Sequence, residues 1–425
     1  MSLRKSPQDL LIALALATLF FFLYAHFGLR LAQGIYFDYL NLGFDFDPPY
    51  FINYLVGSLP DRVNYKHPLA MVFRPVASLF LMMGFPPKAA AALVMAFIGA
   101  LTVALVYGFA RLASFARLEA TAATIFFGCS STTLFTSFIV ETYGWANFSI
   151  VLVWVLFMWG TVSRRSGWTA KLLAAILVAG VTITNLMHAI VSEFFTQLRG
   201  GSLKSALVRT ALFGVAVGLG LLVVLAVIQP HELWNVAVHP VQTAKEVYWL
   251  RTKGANSGVV DLLLTFLGYS FFSPAFVKVP LSPDVMMVDF RTFAYTSLQQ
   301  LAVFAWWAFA LAGVAIGIKN KASNYRFVVV PLLGVFALNF LLHLDYQFRG
   351  SLYIYAAHLH FAVFALGMGA APWVSLLRPL VRLSYVAMLL ALAAAALVTN
   401  GQRASEFVVM FDTLAYPADS EAIRP

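Results

Sequence analysis

Three aspartates follow the first apolar segment of the chain, and aromatic residues flank each of them. Asp38 comes after a Tyr-Phe pair, and Asp45 and Asp47 form an Asp-Phe-Asp stretch that ends in two prolines. A carboxylate that aromatic rings shield from water has a raised pKa and can take a proton from an acceptor hydroxyl, as a general base does. The alternative is structural, because Asp before Pro-Pro also turns or caps the chain.

Cationic side chains stand further along the same segment. Lys66 and His67 precede an apolar stretch that Arg74 and Pro75 interrupt. A fixed ammonium and the backbone amides at a helix start both favour an anion, so this stretch could hold a phosphate. The alternative is that these side chains extend to lipid headgroups while their stems cover apolar surface.

Polar residues also interrupt later apolar segments. Glu141 begins a short Glu-Thr-Tyr-Gly-Trp turn, and an acid at the lipid boundary is either functional or simply solvated. Asn185 and His188 fall within a long apolar stretch, where polar groups commonly hydrogen-bond between helices, so both are pocket candidates with a structural alternative. Glu193 lies deeper in the same stretch, and no pairing partner for it follows from the sequence.

The last cluster of polar residues lies near the end of the chain. Arg349 precedes a predicted helix that carries Tyr355 and His358, three positions apart and therefore on one helix face. An arginine above a tyrosine and a histidine would form a clamp for an anion. The alternative is an aromatic belt, since tyrosine concentrates at membrane surfaces.

The elements that must position these residues are membrane helices. The chain has 425 residues, of which 61% are hydrophobic and 11% are charged, whereas soluble domains average about 25% charged residues. Lipid must therefore cover part of the surface. The first apolar run, 10–28, shows no small-residue cleavage site and is predicted to be a retained span rather than a secretory signal.

Apolar runs long enough to cross a bilayer, or nearly so, recur along the whole chain. They are predicted at 10–28, 89–110, 118–139, 145–163, 205–228, 299–318, 326–343, 352–371 and 383–399. The stretch 68–84 is predicted to lie in the membrane interface, because an Arg-Pro pair at mid-depth is costly. The stretch 170–199 is either one long span or two short helices joined at Asn185.

The distribution of basic residues decides between these alternatives. With a cytoplasmic N-terminus and two short helices in 170–199, Lys and Arg collect in cytoplasmic loops, and the short outer turns hold only Arg349. Other counts break the positive-inside rule. The prediction is an all-α polytopic protein of a bacterial inner membrane with about eleven spans and an outer C-terminal tail.

The predicted organisation is a single membrane domain with two long outer loops that carry interfacial helices. A first module, 1–228, contains the first outer loop at 29–88, and 229–298 forms the second. Further helices occupy 299–399, and 400–425 is a short tail. Both long loops fall on one side of the membrane, so a shared site between them is geometrically feasible.

Several classes of protein do not fit the sequence. The net charge of +10 comes from scattered basic residues, which suit anionic lipid headgroups better than nucleic acid. A single cysteine, Cys129, rules out an intramolecular disulfide and CxxC motifs. The sequence also lacks Walker, GxGxxG, GxSxG and spaced histidine metal motifs, which disfavours a cytosolic nucleotide enzyme.

Four short motifs occur in a distinctive order. The first outer loop carries Asp47 before two prolines, and Lys66-His67-Pro68-Leu69 opens the predicted interfacial helix. A span then ends in Tyr-Gly-Phe-Ala-Arg at 107–111, and an outer turn follows with Glu141. Late in the chain, 352–358 is similar to a Leu-Tyr-Ser-x-His stretch, with alanine where serine would stand.

In these motifs the chain resembles the GT-C class of membrane glycosyltransferases. That class includes protein O-mannosyltransferases, the aminoarabinose transferase of lipid A and bacterial O-antigen-modifying transferases. The resemblance covers about 10–371. It implies inverting transfer of a sugar from a polyprenyl-phosphate donor to a lipid or glycan acceptor on the periplasmic face.

The resemblance also implies roles for individual residues. Asp47 would be the base, with Asp45 as the alternative, and Glu141 would orient the acceptor or the base. A second group would hold the donor phosphate, which gains charge as it leaves. This group comprises Lys66, His67, Arg349, Tyr355 and His358, and Asn185 and His188 would line the pocket.

Departures from the class leave some alternatives open. O-mannosyltransferases have an adjacent Asp-Glu pair where this chain has Asp-Phe-Asp, and the large soluble domain of several members is missing, so the acceptor class stays open. No cofactor follows with certainty, and both a metal-free site and one with a divalent metal fit. A flippase for a lipid-linked glycan would require mid-bilayer charges and internal repeats. A third alternative is a non-catalytic assembly protein.

Overall fold

Apolar helices make up most of the computed structural model, which describes residues 6–57, 67, 69, 72–163, 167–228, 234, 238, 258–282, 285–319, 323–345 and 351–413. In chain order the helices are α1 (Pro7–Leu31), α2 (Pro48–Val56), α3 (Arg74–Met82), α4 (Pro87–Leu112), α5 (Arg117–Cys129), α6 (Ser131–Phe138), α7 (Thr142–Ser163), α8 (Trp168–Val181), α9 (Leu186–Gly200), α10 (Leu203–Ile228), α11 (Val259–Leu264), α12 (Ser297–Lys319), α13 (Arg326–Asp345), α14 (Ala356–Gly367), α15 (Ala371–Val374) and α16 (Pro379–Thr413).

Eight helical segments within the described ranges are long and apolar enough to cross a membrane. Seven are the single helices α1, α4, α7, α10, α12, α13 and α16, and the eighth is Leu352–Val374, which contains α14 and α15. They coincide with eight of the predicted spans. The all-α membrane architecture is therefore confirmed, whereas the count of eleven stays a prediction, because the remaining spans are short or broken helices.

The predicted span 118–139 is broken in two. Helix α5 ends and α6 begins around Ser130. The first amides of α6 lack partners within their own helix. The N–H of Ser131 donates to the carbonyl of Phe271 at 3.1 Å, and the N–H of Thr132 donates to that of Ser270 at 3.0 Å. Carbonyl groups of the second outer loop thus accept the hydrogen bonds of the first amides of α6.

The stretch 170–199 forms two short helices, as the charge distribution predicts. Helices α8 and α9 are joined by a 3-10 turn at Ile183–Asn185. Glu193, on α9, does have a partner, since its carboxylate lies 3.1 Å from the Lys171 ammonium on α8, and both side chains are almost buried. Pairing makes a charge at this depth tolerable.

The interfacial stretch 68–84 contains α3, whose nine residues are too few to span the hydrocarbon core. Arg74 and Pro75 start this helix rather than interrupt it. The Arg74 guanidinium donates to the carbonyl of Gly57, so it ties α3 to the end of α2.

The two long loops meet in a short β-structure that the sequence-based prediction of interfacial helices missed. Strands β1 (Phe276–Ser282) and β2 (Val285–Phe290) form an antiparallel hairpin. The first loop joins β2, since the N–H of Phe44 donates to Val288 O and the N–H of Val288 donates to Leu42 O, both at 2.8 Å. The strands are too short to stand out from the apolar background of the sequence, and their pairing depends on the first loop.

An aromatic cluster fills the space beneath this junction. The ring of Phe44 lies 4.8 Å from those of Phe290 and Tyr353 and stacks on Phe407 at 5.6 Å. Phe407 belongs to α16, which continues to Thr413 instead of ending near 399 as predicted. The predicted tail is helical to that point because Phe407 and Phe411 are buried against the first loop.

The long loops define one end of the bundle, here called the loop end. Helices α1 and α4 run antiparallel, because Asp9 near the start of α1 pairs with Arg111 near the end of α4 at 3.1 Å. Asp38, after α1, pairs with Lys88 at the start of α4 at 2.6 Å. Asp9 also pairs with Arg117. The opposite end therefore holds Arg111 and Arg117, which the sequence-based prediction places in a cytoplasmic loop.

Single-cysteine labelling can test this arrangement. Gln33, after α1, and Ser202, between α9 and α10, are exposed at the loop end and the opposite end, and the native Cys129 is buried. In intact spheroplasts, a membrane-impermeant maleimide should label Gln33→Cys fully. Ser202→Cys should react only after permeabilisation. Wild type treated in the same way is the control and should stay unlabelled, because its Cys129 is buried. Labelling of both variants in intact cells would contradict the predicted topology.

Candidate active site

The acidic loop after α1 has an unusual backbone. Asn41, Phe44 and Asp45 have φ values of +61°, +54° and +61°, in the left-handed region that non-glycine residues seldom occupy. The N–H of Asn41 donates to Phe46 O at 2.9 Å, and the N–H of Phe46 donates to Gly43 O at 3.1 Å. These bonds and the burial of Phe44 hold the loop in a tight turn that presents its aspartates together.

Asp45 and Asp47 share one hydrogen-bond donor, the side-chain amide of Asn41. With its amide oriented to donate, the nitrogen lies 2.6 Å from Asp45 Oδ1 and 3.1 Å from Asp47 Oδ1. Both aspartates are partly exposed, so a ligand can reach them. Asp47 is also the residue before α2. The interpretation of Asp47 as a helix start and its assignment to the site are thus compatible.

Glu141 is buried rather than solvated, and it holds the main chain of Asp47. Its Oε2 accepts the N–H of Asp47 at 2.9 Å, and its Oε1 accepts the N–H and hydroxyl of Thr142 at 2.7 and 3.0 Å. Burial, and then the negative charge of Asp47, raise the pKa of Glu141 to about 8. Glu141 is therefore protonated at neutral pH beside Asp47.

Tyr143 connects the acidic loop to the late Tyr-His segment. Its ring centroid lies 5.5 Å from that of Phe46 and 5.7 Å from that of His358. The sequence-based hypothesis requires the aspartates and His358 to face one compartment, and Tyr143 contacts both His358 and Phe46, the residue between Asp45 and Asp47.

His358 lies among aromatic and polar side chains of three other segments. Its Nδ1 is 2.6 Å from Asn185 Oδ1, and its ring stacks on that of His343 at 5.8 Å. Tyr355 also packs against His343, at 4.5 Å. Tyr355, His358 and Asn185 therefore come together as predicted, and His343 is an addition that sequence reasoning missed. A histidine near the end of an apolar span was the available signal.

His188, in the first turn of α9, contacts the same residue. Its Nε2 lies 2.9 Å from the carbonyl oxygen of His358, and its Nδ1 accepts the indole N–H of Trp154 at 3.0 Å. Trp154 is a second residue that sequence reasoning missed, and a tryptophan in an apolar span offers little signal.

The predicted phosphate-binding cations are only partly described. His67 Nδ1 lies 2.5 Å from the carbonyl of Val181, at the end of α8, and its ring contacts Phe51 at 5.9 Å. Lys66 and Arg349 fall outside the residues that the structure describes.

Asp289, on β2, is a further acid close to the site. Its carboxylate accepts the Ser351 hydroxyl at 3.0 Å, immediately before the turn that contains Tyr355. Burial raises the pKa of Asp289 to about 6. An acid in an apolar strand was the signal that could have found it.

Metal binding was left open by the motifs. Across the described ranges, no group of three or more His, Cys, Asp or Glu side chains is arranged to hold a metal ion.

The pKa of Glu141 predicts a stability effect with a definite sign. The folded protein holds the proton up to about pH 8, against a reference pKa of 4.5. The stabilisation is therefore complete below pH 4.5 and is lost as the pH rises through 8. Within this window we expect the unfolding free energy to fall by about 1.4 kcal/mol per pH unit.

Thermal unfolding in detergent from pH 5 to 9 measures this effect. Glu141→Gln cannot ionise, so its melting temperature should depend less on pH than that of wild type. Asp38→Asn, an exposed acid in the same loop, should follow wild type. Equal pH slopes for wild type and Glu141→Gln would contradict the assignment.

Comparison with known proteins shows no match in sequence but clear matches in structure. No family model and no curated protein matches the chain. Two structures of an oligosaccharyltransferase from Archaeoglobus fulgidus, one with zinc and sulfate and one in the apo form, have TM-scores of 0.45 and 0.46 and identities of 14% and 15%. The alignments include 94% and 97% of this chain, but only 49% and 56% of the oligosaccharyltransferase chains.

A closer similarity in shape is to ArnT from Cupriavidus metallidurans, solved with bound undecaprenyl phosphate. The TM-score is 0.51 at 12% identity, over 95% of this chain and 77% of that chain. At such an identity the similarity concerns the fold alone. This chain therefore has the fold of ArnT, a GT-C glycosyltransferase, which is the fold that the sequence motifs predict.

Proposed function

We propose that this protein is a glycosyltransferase that moves a sugar from a polyprenyl-phosphate donor to a lipid or glycan acceptor. The reaction would take place at the periplasmic face of a bacterial inner membrane. One observation carries the proposal most directly: Glu141 fixes the main chain of Asp47, and the adjoining Tyr143 contacts His358. The fold shared with ArnT, which was solved with undecaprenyl phosphate, supports the donor class.

Asp47 would act as the general base. Because Glu141 retains its proton to about pH 8, it is neutral at neutral pH, and the base of this pair of carboxyl groups would be Asp47. The ionised carboxylate would take the proton of the acceptor hydroxyl as the oxygen attacks the anomeric carbon. The bond to phosphate would break on the opposite face of the sugar, which inverts the configuration and releases polyprenyl phosphate.

Asp45 is the alternative base, because Asn41 reaches both carboxylates. Asp47 is favoured because its main chain is fixed by Glu141, whereas Asp45 stands in the strained part of the loop. A fixed base keeps its geometry through the reaction, which matters for rate. Glu141 acts through Asp47 in this scheme and is a positioning residue.

The leaving phosphate would be bound by His67, Tyr355 and His358, together with Lys66 and Arg349. Cations and hydroxyl groups around it would stabilise the charge that develops as the glycosidic bond breaks. The transporter alternative gains little support, because Glu193, the intramembrane acid that suggested it, is paired with Lys171.

Replacing the proposed base gives a sharp test. Asp47→Asn should lose about 10²- to 10⁴-fold in transfer rate, the contribution of a general base, without losing thermal stability. Asp45→Asn should reduce the transfer rate less than Asp47→Asn does. Asp38→Asn, which removes an exposed carboxylate that pairs with Lys88, is the matched control and should keep nearly full activity.

The measurement has two stages. Mass analysis of surface glycans from a deletion strain identifies the missing sugar, and complementation with each variant reports its activity. Transfer rates are then measured with purified protein and the identified donor. An unchanged glycan profile in the deletion strain would refute the enzyme assignment, and full activity of Asp47→Asn would refute the base.

A further inference from the structure

Asn185 and His188 lie at the break between α8 and α9, and both reach the same residue of α14. Asn185 bonds the side chain of His358, and His188 bonds its carbonyl oxygen, at 2.6 and 2.9 Å. Both residues are completely buried. The break in the membrane helix thus holds one histidine by its ring and by its main chain.

Trp154 determines where His188 carries its proton. The indole nitrogen can only donate a hydrogen bond, and it lies 3.0 Å from His188 Nδ1. Nδ1 is therefore the acceptor, and the proton of the neutral ring is on Nε2. From there it donates to the carbonyl oxygen of His358. The chain of bonds has a single direction, from Trp154 through His188 to His358.

Asn185 determines the tautomer of His358 itself. Its amide oxygen faces Nδ1, so Nδ1 carries a proton and Nε2 keeps the lone pair. The oxygen accepts this hydrogen bond both when the ring is neutral and when it is cationic. Among the described residues, none hydrogen-bonds His358 Nε2, so that nitrogen is left for a ligand.

We propose that Trp154, Asn185 and His188, here called the helix-break network, are positioning residues for His358. They fix its place and occupy Nδ1, so that Nε2 is the ring nitrogen that meets the phosphate of the polyprenyl-phosphate donor. This inference rests on the proposed function. In the donor complex, where the negative phosphate favours the cationic ring, Nε2–H would donate to a phosphate oxygen while Nδ1–H stays on Asn185, so the network is unchanged when the ring takes up a proton.

The sequence contains a matched control for Trp154. Trp145 lies on the same helix, is equally buried, and its indole nitrogen has no hydrogen-bond partner among the described residues. Replacing either tryptophan by phenylalanine removes one indole N–H from the same helix. Only the replacement of Trp154 removes a bond of the network.

Binding of undecaprenyl phosphate to the full-length protein in nanodiscs, with thermal unfolding measured in parallel, tests the proposal. Trp154→Phe, His188→Leu and Asn185→Leu should each weaken binding about tenfold, the effect of one lost hydrogen bond. Trp145→Phe should bind like wild type. His188→Gln can accept from Trp154 and donate to His358, so it should restore binding to within about threefold of wild type.

A double-mutant cycle separates positioning from general support of the fold. In a His358→Gln background each network substitution should weaken binding further by less than about twofold, because the residue it positions is already lost. The same tenfold losses in that background would overturn the proposal. The proposal would also be overturned if the network variants bind like wild type while His358→Gln does not. The proposed function would still stand in that case. If wild type does not bind undecaprenyl phosphate, the donor assignment itself fails, and the network's role with it.

Discussion

The buried carboxyl group of Glu141 joins parts of the chain that would otherwise be separate. One oxygen accepts the N–H of Asp47, 94 residues earlier, and the other accepts two hydrogen bonds from Thr142. A carboxyl group away from water is tolerated only where hydrogen bonds or a bound proton compensate for lost hydration. Three donors and a pKa of about 8 supply both. Glu141 is thus neutral at neutral pH, beside Asp47, which a ligand can reach.

Presenting Asp47 in this way requires backbone strain that the surroundings must offset. Asn41, Phe44 and Asp45 have positive φ, and each such residue costs on the order of 1–3 kcal/mol. Full burial of the Phe44 ring, and its main-chain bond to Val288, act in the opposite direction. The hairpin of the second outer loop and the end of α16 thus stabilise the acidic loop. They do so through Phe44, whereas Glu141 acts on Asp47 directly.

The helix breaks at Ser130 and Asn185 share one feature: each is completed by another segment of the chain. The break at Ser130 receives carbonyls from the second loop, and His360 of α14 lies 2.8 Å from the Ser130 hydroxyl. The break at Asn185 is completed by His358. Unpaired polar groups in hydrocarbon are costly, so each break also specifies which helix must lie beside it. The two breaks attach α14 from different sides.

The sequence by itself determined the apolar spans, the division of 170–199 at Asn185, and most of the residues that converge at the loop end. These properties are local, since hydrophobic length, charge and helix-breaking residues act over a few turns of chain. The bond from Asp47 to Glu141, the pairing of Lys171 with Glu193, the β-hairpin and the extension of α16 were decided only by the tertiary structure. Each depends on which distant segments meet, as His188 and His358 do across 170 residues. Such pairings are set by the packing of the whole bundle, which no local pattern of residues specifies.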